Sequence, residues 1–183
     1  MRNTLVVSSA VLLSLSAVAC NDETPSGPET FVVPVYARTD AQSSNFGTPM
    51  FGAEEVPPVV NDFDGQAIFK LSADGTTMSY KVITSAMTGI TQSHIHIGNS
   101  GANGPIVVFL FGFISAGVAN DGILSQGTFT AANLIARPAI GFGATMPELV
   151  AALRTGHAYV NVHTLAHPGG EIRGQIEEHG PTK

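Results

Sequence analysis

Three histidines of this 183-residue chain stand at a spacing that could bind a metal ion. His94 and His96 lie in one predicted strand, and alternate residues of a strand project from the same face, so both imidazoles can reach one point. His163 lies in a second predicted strand and supplies a third ligand if the two strands are neighbours. Copper and zinc favour imidazole ligands. The spacing therefore predicts a candidate copper or zinc site at His94, His96 and His163.

Two other roles for the same histidines are open at this point. They could form a hydrogen-bonded polar network that holds the strands in register, or they could belong to a surface that contacts another protein. Asn161, Glu171 and Arg173 are polar residues near the predicted site. The valines and isoleucines that alternate with them favour the core. We therefore expect the polar side chains to face either water or one another.

The rest of the sequence argues against catalysis and nucleic-acid binding. Glu54 and Glu55 are adjacent, and adjacent strand residues point to opposite faces, so the pair is not expected to share acid–base catalysis. No arrangement of Ser, His and Asp or of Cys and His indicates a nucleophile. The 14 Asp and Glu against 8 Lys and Arg give a net charge of −6, which disfavours binding to phosphates. These features predict a protein that is not an enzyme and has no nucleic-acid partner.

Short apolar stretches between turn residues predict an all-β fold with one short helix. The helix is expected after Thr145, which forms a capping box with Glu148, and before Gly156, which can end it in a left-handed conformation. Residues 41–47 are polar and predict a loop. The arrangement favours an antiparallel β-sandwich or a Greek-key barrel. The predicted strands are Phe31–Tyr36, Gly65–Leu71, Thr77–Thr84, Gln92–Ile97, Ile106–Phe113, Gly122–Thr130, Ala158–Thr164 and Gly170–Ile176.

The N-terminal segment predicts export. Residues 1–20 have a positive start and an uncharged stretch that is too short to span a bilayer but suits a signal peptide. The sequence AVAC at residues 17–20 resembles a bacterial lipobox, which makes Cys20 the expected lipid-carrying residue and the anchor to the membrane. The alternative is cleavage after Ala19 by an ordinary signal peptidase, which gives a secreted protein. Residues 21–29 are expected to be a flexible tether, and residues 178–183 a polar tail.

Three stretches together resemble the chordin-type (CHRD) domain. They are FGAEEVPP with LSADGT (51–58 and 71–76), HIHIG with GANGPIV (94–98 and 101–107), and YVNVHT with PGGEIRGQI (159–164 and 168–176). The stretches extend the resemblance over nearly all of residues 30–177. It implies an immunoglobulin-like, superoxide-dismutase-like Greek-key β-sandwich or barrel, as found in extracellular regulators and bacterial exported proteins. Because no molecular activity is established for the family, the resemblance implies a fold rather than an activity.

The histidine pattern is also similar to the copper site of the superoxide dismutases, but this chain departs from that family. No histidine follows His96 until His157, so the bridging imidazole of the dismutases has no counterpart. Cys20 is the single cysteine, so the dismutase disulfide is missing as well. Superoxide dismutation is therefore not expected.

The sequence as a whole predicts a non-enzymatic binding module of unknown ligand in the bacterial cell envelope. The domain would be lipid-anchored at Cys20 and face the periplasm or the exterior. Its expected partners are the membrane, through the anchor, and an unidentified protein or metal ion. The alternative function is a copper- or zinc-binding protein that uses His94, His96 and His163. A purely structural envelope protein is a third hypothesis.

Overall fold

The computed structural model describes residues 44–179, which form eight strands, one α-helix and three short 3-10 turns. The strands are β1 (Asn45–Phe51), β2 (Asp64–Leu71), β3 (Thr77–Ile97), β4 (Ile106–Phe111), β5 (Val118–Thr130), β6 (Ala158–Thr164), β7 (Ile172–Gln175) and β8 (Glu177–His179). Helix α1 is Met146–Arg154, and the 3-10 turns are Gly52–Glu54, Ala131–Asn133 and Pro138–Ile140.

The sheet closes on itself. Strand β3 pairs with β2, β2 with β1, β1 with β7, β7 with β6, and β6 again with β3, all antiparallel. Strands β4 and β5 pair with β3 outside this circuit, and β8 pairs with β1. The all-β prediction with one short helix is confirmed. Of the sandwich and the barrel, the closed circuit corresponds to the barrel.

Strand β3 is a single bent strand of 21 residues where the sequence predicted two strands. Its first half pairs with β2 and its second half with β6. The bend lies at Ala86 and Gly89, both at positive φ, where the register with β5 shifts. The Asp121 carboxylate accepts a hydrogen bond from the Ala86 amide at this bulge. A bulge turns a strand without ending it, so one strand can run along two parts of the barrel.

The interior of the barrel is apolar, and helix α1 packs against it. Ile95, Val160, Val162 and Ile172 are fully buried in this core, together with Leu149 and Leu153 of the helix. The predicted capping box is confirmed, since the Thr145 hydroxyl accepts a hydrogen bond from the Glu148 amide and the Glu148 carboxylate accepts one from the Thr145 amide. Gly156 has a φ of +70°, as its predicted role requires.

Several elements differ from the sequence prediction: β1 was not predicted as a strand, β2 and β5 begin earlier than predicted, and β4 and β7 are shorter. Residues 45–47, predicted as loop, belong to β1 and pair with both β2 and β8. Their polar appearance misled the prediction because alternation is hard to recognise beside Gly47 and Pro49. Strand β8 also takes two residues from the predicted polar tail. The predicted strand at 31–36, the signal segment, Cys20 and the tether all lie outside the described residues.

Between residues 44 and 179 no helix is both long enough and apolar enough to cross a membrane.

Candidate metal centre

The pairing of β3 with β6 brings the three histidines together. His94 on β3 lies opposite Asn161 on β6. His163 on β6 lies opposite Gln92, which is two residues before His94 on β3. Because side chains alternate along each strand, His94, His96, Asn161 and His163 share one face. The opposite face carries core residues such as Ile95. The expectation that the two strands are neighbours is therefore correct.

This polar face is turned away from the barrel interior, yet it is buried. The exposed fraction is 0% for His94, 7% for His96 and 5% for His163. Every residue of β6 is buried, on both faces of the strand. Of the two environments expected for the polar side chains, water or one another, the structure shows the second. The loops at residues 52–61, 98–105 and 165–171 contact the face through the hydrogen bonds described below.

The imidazoles converge on a small space. His94 Nδ1 lies 3.1 Å from His163 Nε2. Each of His94, His96 and His163 has one ring nitrogen that lies within 4.8 Å of a ring nitrogen of the other two. Ligands about 2.0–2.1 Å from one ion at angles of about 90–109° are separated by about 2.9–3.4 Å. The His94–His163 pair already has this spacing, whereas His96 lies within the wider limit of 4.8 Å.

Two backbone carbonyls determine which ring nitrogens are free. His96 Nδ1 is 2.8 Å from the Gly104 oxygen, and His163 Nδ1 is 2.9 Å from the Pro168 oxygen. A carbonyl can only accept, so each Nδ1 donates its hydrogen. In the neutral ring the lone pair then lies on Nε2 of His96 and of His163. Hydrogen bonds of this kind orient metal-binding histidines in proteins.

Burial keeps these rings neutral. It lowers the pKa of His94 to about 3 and that of His96 to about 4, and nearby imidazoles act in the same direction on both. Burial also lowers the pKa of His163, although the Pro168 carbonyl opposes it. Because metal ions bind imidazole in its neutral form, protons do not compete with a metal near neutral pH.

Some of the free nitrogens have no hydrogen-bond partner. His94 Nε2 and His96 Nε2 are both buried without one, among the described residues. An unpaired buried polar atom costs about 1–3 kcal/mol, so native proteins seldom keep one. A cation bound at His96 Nε2 would satisfy one of these two atoms.

Gly104 is required for this arrangement. A Cβ atom at this position would collide with the Ile97 carbonyl oxygen. Glycine thus lets the loop at 98–105 fold back so that its carbonyl reaches His96. This explains why the GANG sequence lies directly after the strand that carries the histidines.

An aromatic and cationic stack flanks the histidines. The His96 ring is stacked on Tyr159, with centroids 4.7 Å apart. The Arg173 guanidinium lies 3.4 Å from the centre of the Tyr159 ring and donates to the backbone oxygens of Asn99 and Ala102. Arg173 therefore holds the loop at 98–105 over the site. The sequence analysis predicted only that Arg173 is one of the polar residues near the site.

Glu171 is adjacent to the site but does not touch the three histidines. Its carboxylate accepts hydrogen bonds of 2.6 Å from Asn61 and from Thr164, and lies 3.9 Å from His167. It joins the loop at 52–61 to the end of β6. The predicted polar network is therefore present, with Asn161 and not Glu171 as the residue that reaches the histidines.

Glu55 is a site residue that the sequence analysis did not identify. It is 4% exposed, and one of its oxygens, Oε1, has no partner. Burial raises its pKa to about 7, although the Arg173 charge and a hydrogen bond from the Asn161 side chain act in the opposite direction. The expectation that Glu54 and Glu55 point apart is correct, since Glu54 is exposed. Only the 3-10 turn before Glu55 determines which of them is buried.

Comparison with known proteins gives one match. The family model of the CHRD domain matches residues 46–176. This span contains every strand of the closed circuit except the first residue of β1, and all residues of the candidate site. No curated protein and no solved structure matches the chain.

Proposed function

The chain belongs to the CHRD domain family, and from this premise we propose that its barrel is a copper- or zinc-binding module held outside the cytoplasm by a lipid anchor. The ligands are His94, His96 and His163. This is the more specific of the functions that the sequence suggested. It identifies a metal ion as the ligand of the binding module that the sequence predicted.

One observation supports the metal more than any other. Three neutral imidazoles converge, and backbone carbonyls hold the Nδ1 atoms of two of them, so that the Nε2 atoms of His96 and His163 carry lone pairs. His94 offers Nδ1, the atom that lies 3.1 Å from His163 Nε2. In the metal-free protein His94 Nδ1 can donate its hydrogen to His163 Nε2, but His96 Nε2 keeps a buried lone pair without a partner. A cation bound by the three imidazoles satisfies this lone pair, and copper and zinc are among the ions that imidazole suits.

The proposal assigns binding and not catalysis. In residues 44–179 no second group of three metal-binding side chains accompanies the trio. The sequence has no histidine between His96 and His157 that could bridge two ions. A metal store or carrier therefore fits this centre better than a two-metal dismutase.

Metal analysis of the purified full-length protein tests the function. After treatment with a chelator, the protein is expected to take up one equivalent of Cu(II) or Zn(II), measured by mass spectrometry of the desalted sample. The His94→Ala/His96→Ala double variant is expected to lose this uptake, because one imidazole cannot hold the ion alone. The His157→Ala/His179→Ala variant removes two histidines outside the cluster and should bind as the wild type does. Absence of stoichiometric metal in the wild type, or equal uptake in the first variant, would contradict the proposal.

The location is proposed from Cys20. In a bacterial host, a Cys20→Ser variant is expected to move from the membrane fraction to the soluble extracytoplasmic fraction, since the acyl chains supply the membrane affinity. Immunoblots of the fractions measure this, and a Ser26→Cys/Cys20→Ser variant serves as the control that a cysteine elsewhere does not restore anchoring. If the wild type is already soluble and begins at Cys20, the secreted alternative holds instead.

A further inference from the structure

Asn161 places an oxygen atom among the three imidazoles. It is 2% exposed and lies between His94 on β3 and Arg173 on β7 in the strand pairing. We propose that Asn161 Oδ1 is the fourth ligand of the metal ion, which makes the centre a three-nitrogen, one-oxygen site for divalent copper or zinc. This inference rests on the proposed function, since it presumes an ion at the three histidines.

The spacing of Asn161 and His163 is that of two ligands. Asn161 Oδ1 is 3.0 Å from His163 Nε2, close to the 3.1 Å between His163 Nε2 and His94 Nδ1. Ligands of one ion with bonds of about 2.0–2.2 Å are separated by distances of this size. Both contacts meet at His163 Nε2, so the Asn161 oxygen lies at ligand spacing from one of the three imidazoles.

A hydrogen bond donated by His163 does not account for this contact. His163 donates its Nδ1 hydrogen to the Pro168 oxygen, so its Nε2 carries a lone pair. The amide oxygen is an acceptor as well. Two acceptors at 3.0 Å repel each other unless a positive charge lies between them. A cation bound by both atoms removes the conflict.

Glu55 determines which end of the Asn161 amide faces the histidines. A hydrogen bond from the Asn161 side chain lowers the pKa of Glu55, and because only a donor stabilises a carboxylate, we infer that the amide nitrogen faces Glu55. An amide whose nitrogen is held in this way presents its oxygen on the other side, toward His163. Glu55 itself is confined, because a Cβ atom at Gly170 would collide with its carboxyl group. Glu55 is therefore a positioning residue for the oxygen ligand.

The donor set selects among ions. Sites for Cu(I) favour soft sulfur ligands, whereas nitrogen and oxygen ligands suit Cu(II) and Zn(II). No cysteine belongs to the three-histidine group in the described part of the chain. The centre is therefore expected to prefer the divalent ions. An amide oxygen donates less electron density to the metal than a fourth imidazole would.

The test compares Asn161→Leu with Asn161→Asp in the full-length protein, with Cu(II) as the probe. Asn161→Leu removes the oxygen and is expected to weaken Cu(II) binding about 10–100-fold, on the scale seen when groups that complete a metal site are removed. Asn161→Asp keeps an oxygen and is expected to bind at least as tightly. Both variants are expected to change the copper hyperfine splitting in the electron paramagnetic resonance spectrum. Asn120→Leu, on β5, is the matched control and should leave affinity and spectrum unchanged.

The outcomes separate the two proposals. If the wild type binds no Cu(II) or Zn(II), the proposed function fails and this inference fails with it. If the wild type binds and both Asn161 variants keep its affinity and its spectrum, only the oxygen ligand is overturned. Circular dichroism reports whether Asn161→Leu folds. If it does not, Asn161→Asp decides, because an unchanged spectrum in that variant overturns the inference and an altered one supports it.

Discussion

Replacing Arg173 by methionine is expected to lower the free energy of unfolding by about 3–5 kcal/mol, because two charge-assisted hydrogen bonds of about 1.5–3 kcal/mol each are lost. The side chain is 1% exposed. Methionine fills part of its volume but cannot donate to the backbone oxygens of Asn99 and Ala102, each 2.9 Å from the guanidinium. It also loses the cation–π contact with Tyr159.

The effect extends to Glu55, whose carboxyl group faces the positive charge of Arg173. Without that charge, the buried carboxyl group is stable only when protonated. The loop at 98–105 also loses its attachment to β7. We expect the Gly104 carbonyl, which holds the His96 ring, to be less ordered as a result. We therefore expect metal binding to weaken in the same variant.

Urea denaturation of the metal-free protein, followed by circular dichroism, measures the loss. The control is Arg154→Met, which removes a surface cation whose ion pair with Glu178 is 3.2 Å long and about one-third exposed. Exposed pairs contribute about 0–1 kcal/mol, so the control should change little. If Arg173→Met costs no more than Arg154→Met, then Arg173 does not hold the loop as described.

Acidification is expected to destabilise the metal-free protein, by about 2–5 kcal/mol between pH 6.5 and pH 4.5. The histidines are the cause. Burial lowers the pKa of His94 to about 3 and of His96 to about 4, below the ordinary value of 6.5. Between pH 6.5 and pH 4.5 these histidines bind protons in the unfolded chain but not in the folded protein. Stability is therefore complete above pH 6.5 and is lost as the pH falls toward the folded-state pKa values.

Glu55 acts in the opposite direction. Its pKa is raised from 4.5 to about 7, so between these values the folded state holds a proton that the unfolded state has released. Its contribution is complete below pH 4.5 and is lost as the pH rises toward 7. The net loss on acidification remains, because His163 also has a lowered pKa and the histidines outnumber this one carboxyl group.

The variant Glu55→Gln separates these contributions. It removes the opposing group, so its free energy of unfolding should fall more steeply with acidification than that of the wild type. Asp74 and Glu148 also have lowered pKa values, but their contributions are lost below pH 4.5 and lie outside the interval. Urea unfolding at several pH values in the presence of a chelator gives the curves. A stability that is constant from pH 6.5 to 4.5 would contradict the burial of the histidines.

Much of the site could be predicted from strand periodicity. In a strand the side chains alternate, so the HIHI and YVNVH sequences placed His94, His96, Asn161 and His163 on one face without any coordinates. The same reasoning gave the bounds of β6 correctly, and the capping box at Thr145 located the helix. These are local properties, which depend on residues a few positions apart.

The environment of the site could not be predicted in this way. Polar side chains beside a β core usually face water, yet these are covered by three loops. The burial depends on contacts between distant residues, such as Asn61 with Glu171 and Arg173 with Asn99. The single bent β3, which carries one edge of the barrel from β2 to β6, was also missed, because Ser85–Gly89 has the composition of a turn.

The sequence by itself determined the residue types, the alternation that groups the histidines, the family resemblance and the candidate lipid anchor at Cys20. The tertiary structure alone decided that the histidines are buried and neutral, that the Gly104 and Pro168 carbonyls hold Nδ1 of two of them, and that Glu55 is buried near Asn161. The physical reason is that alternation depends on the geometry of one strand. Burial, tautomer and amide orientation depend on loops that only the folded chain brings over that strand.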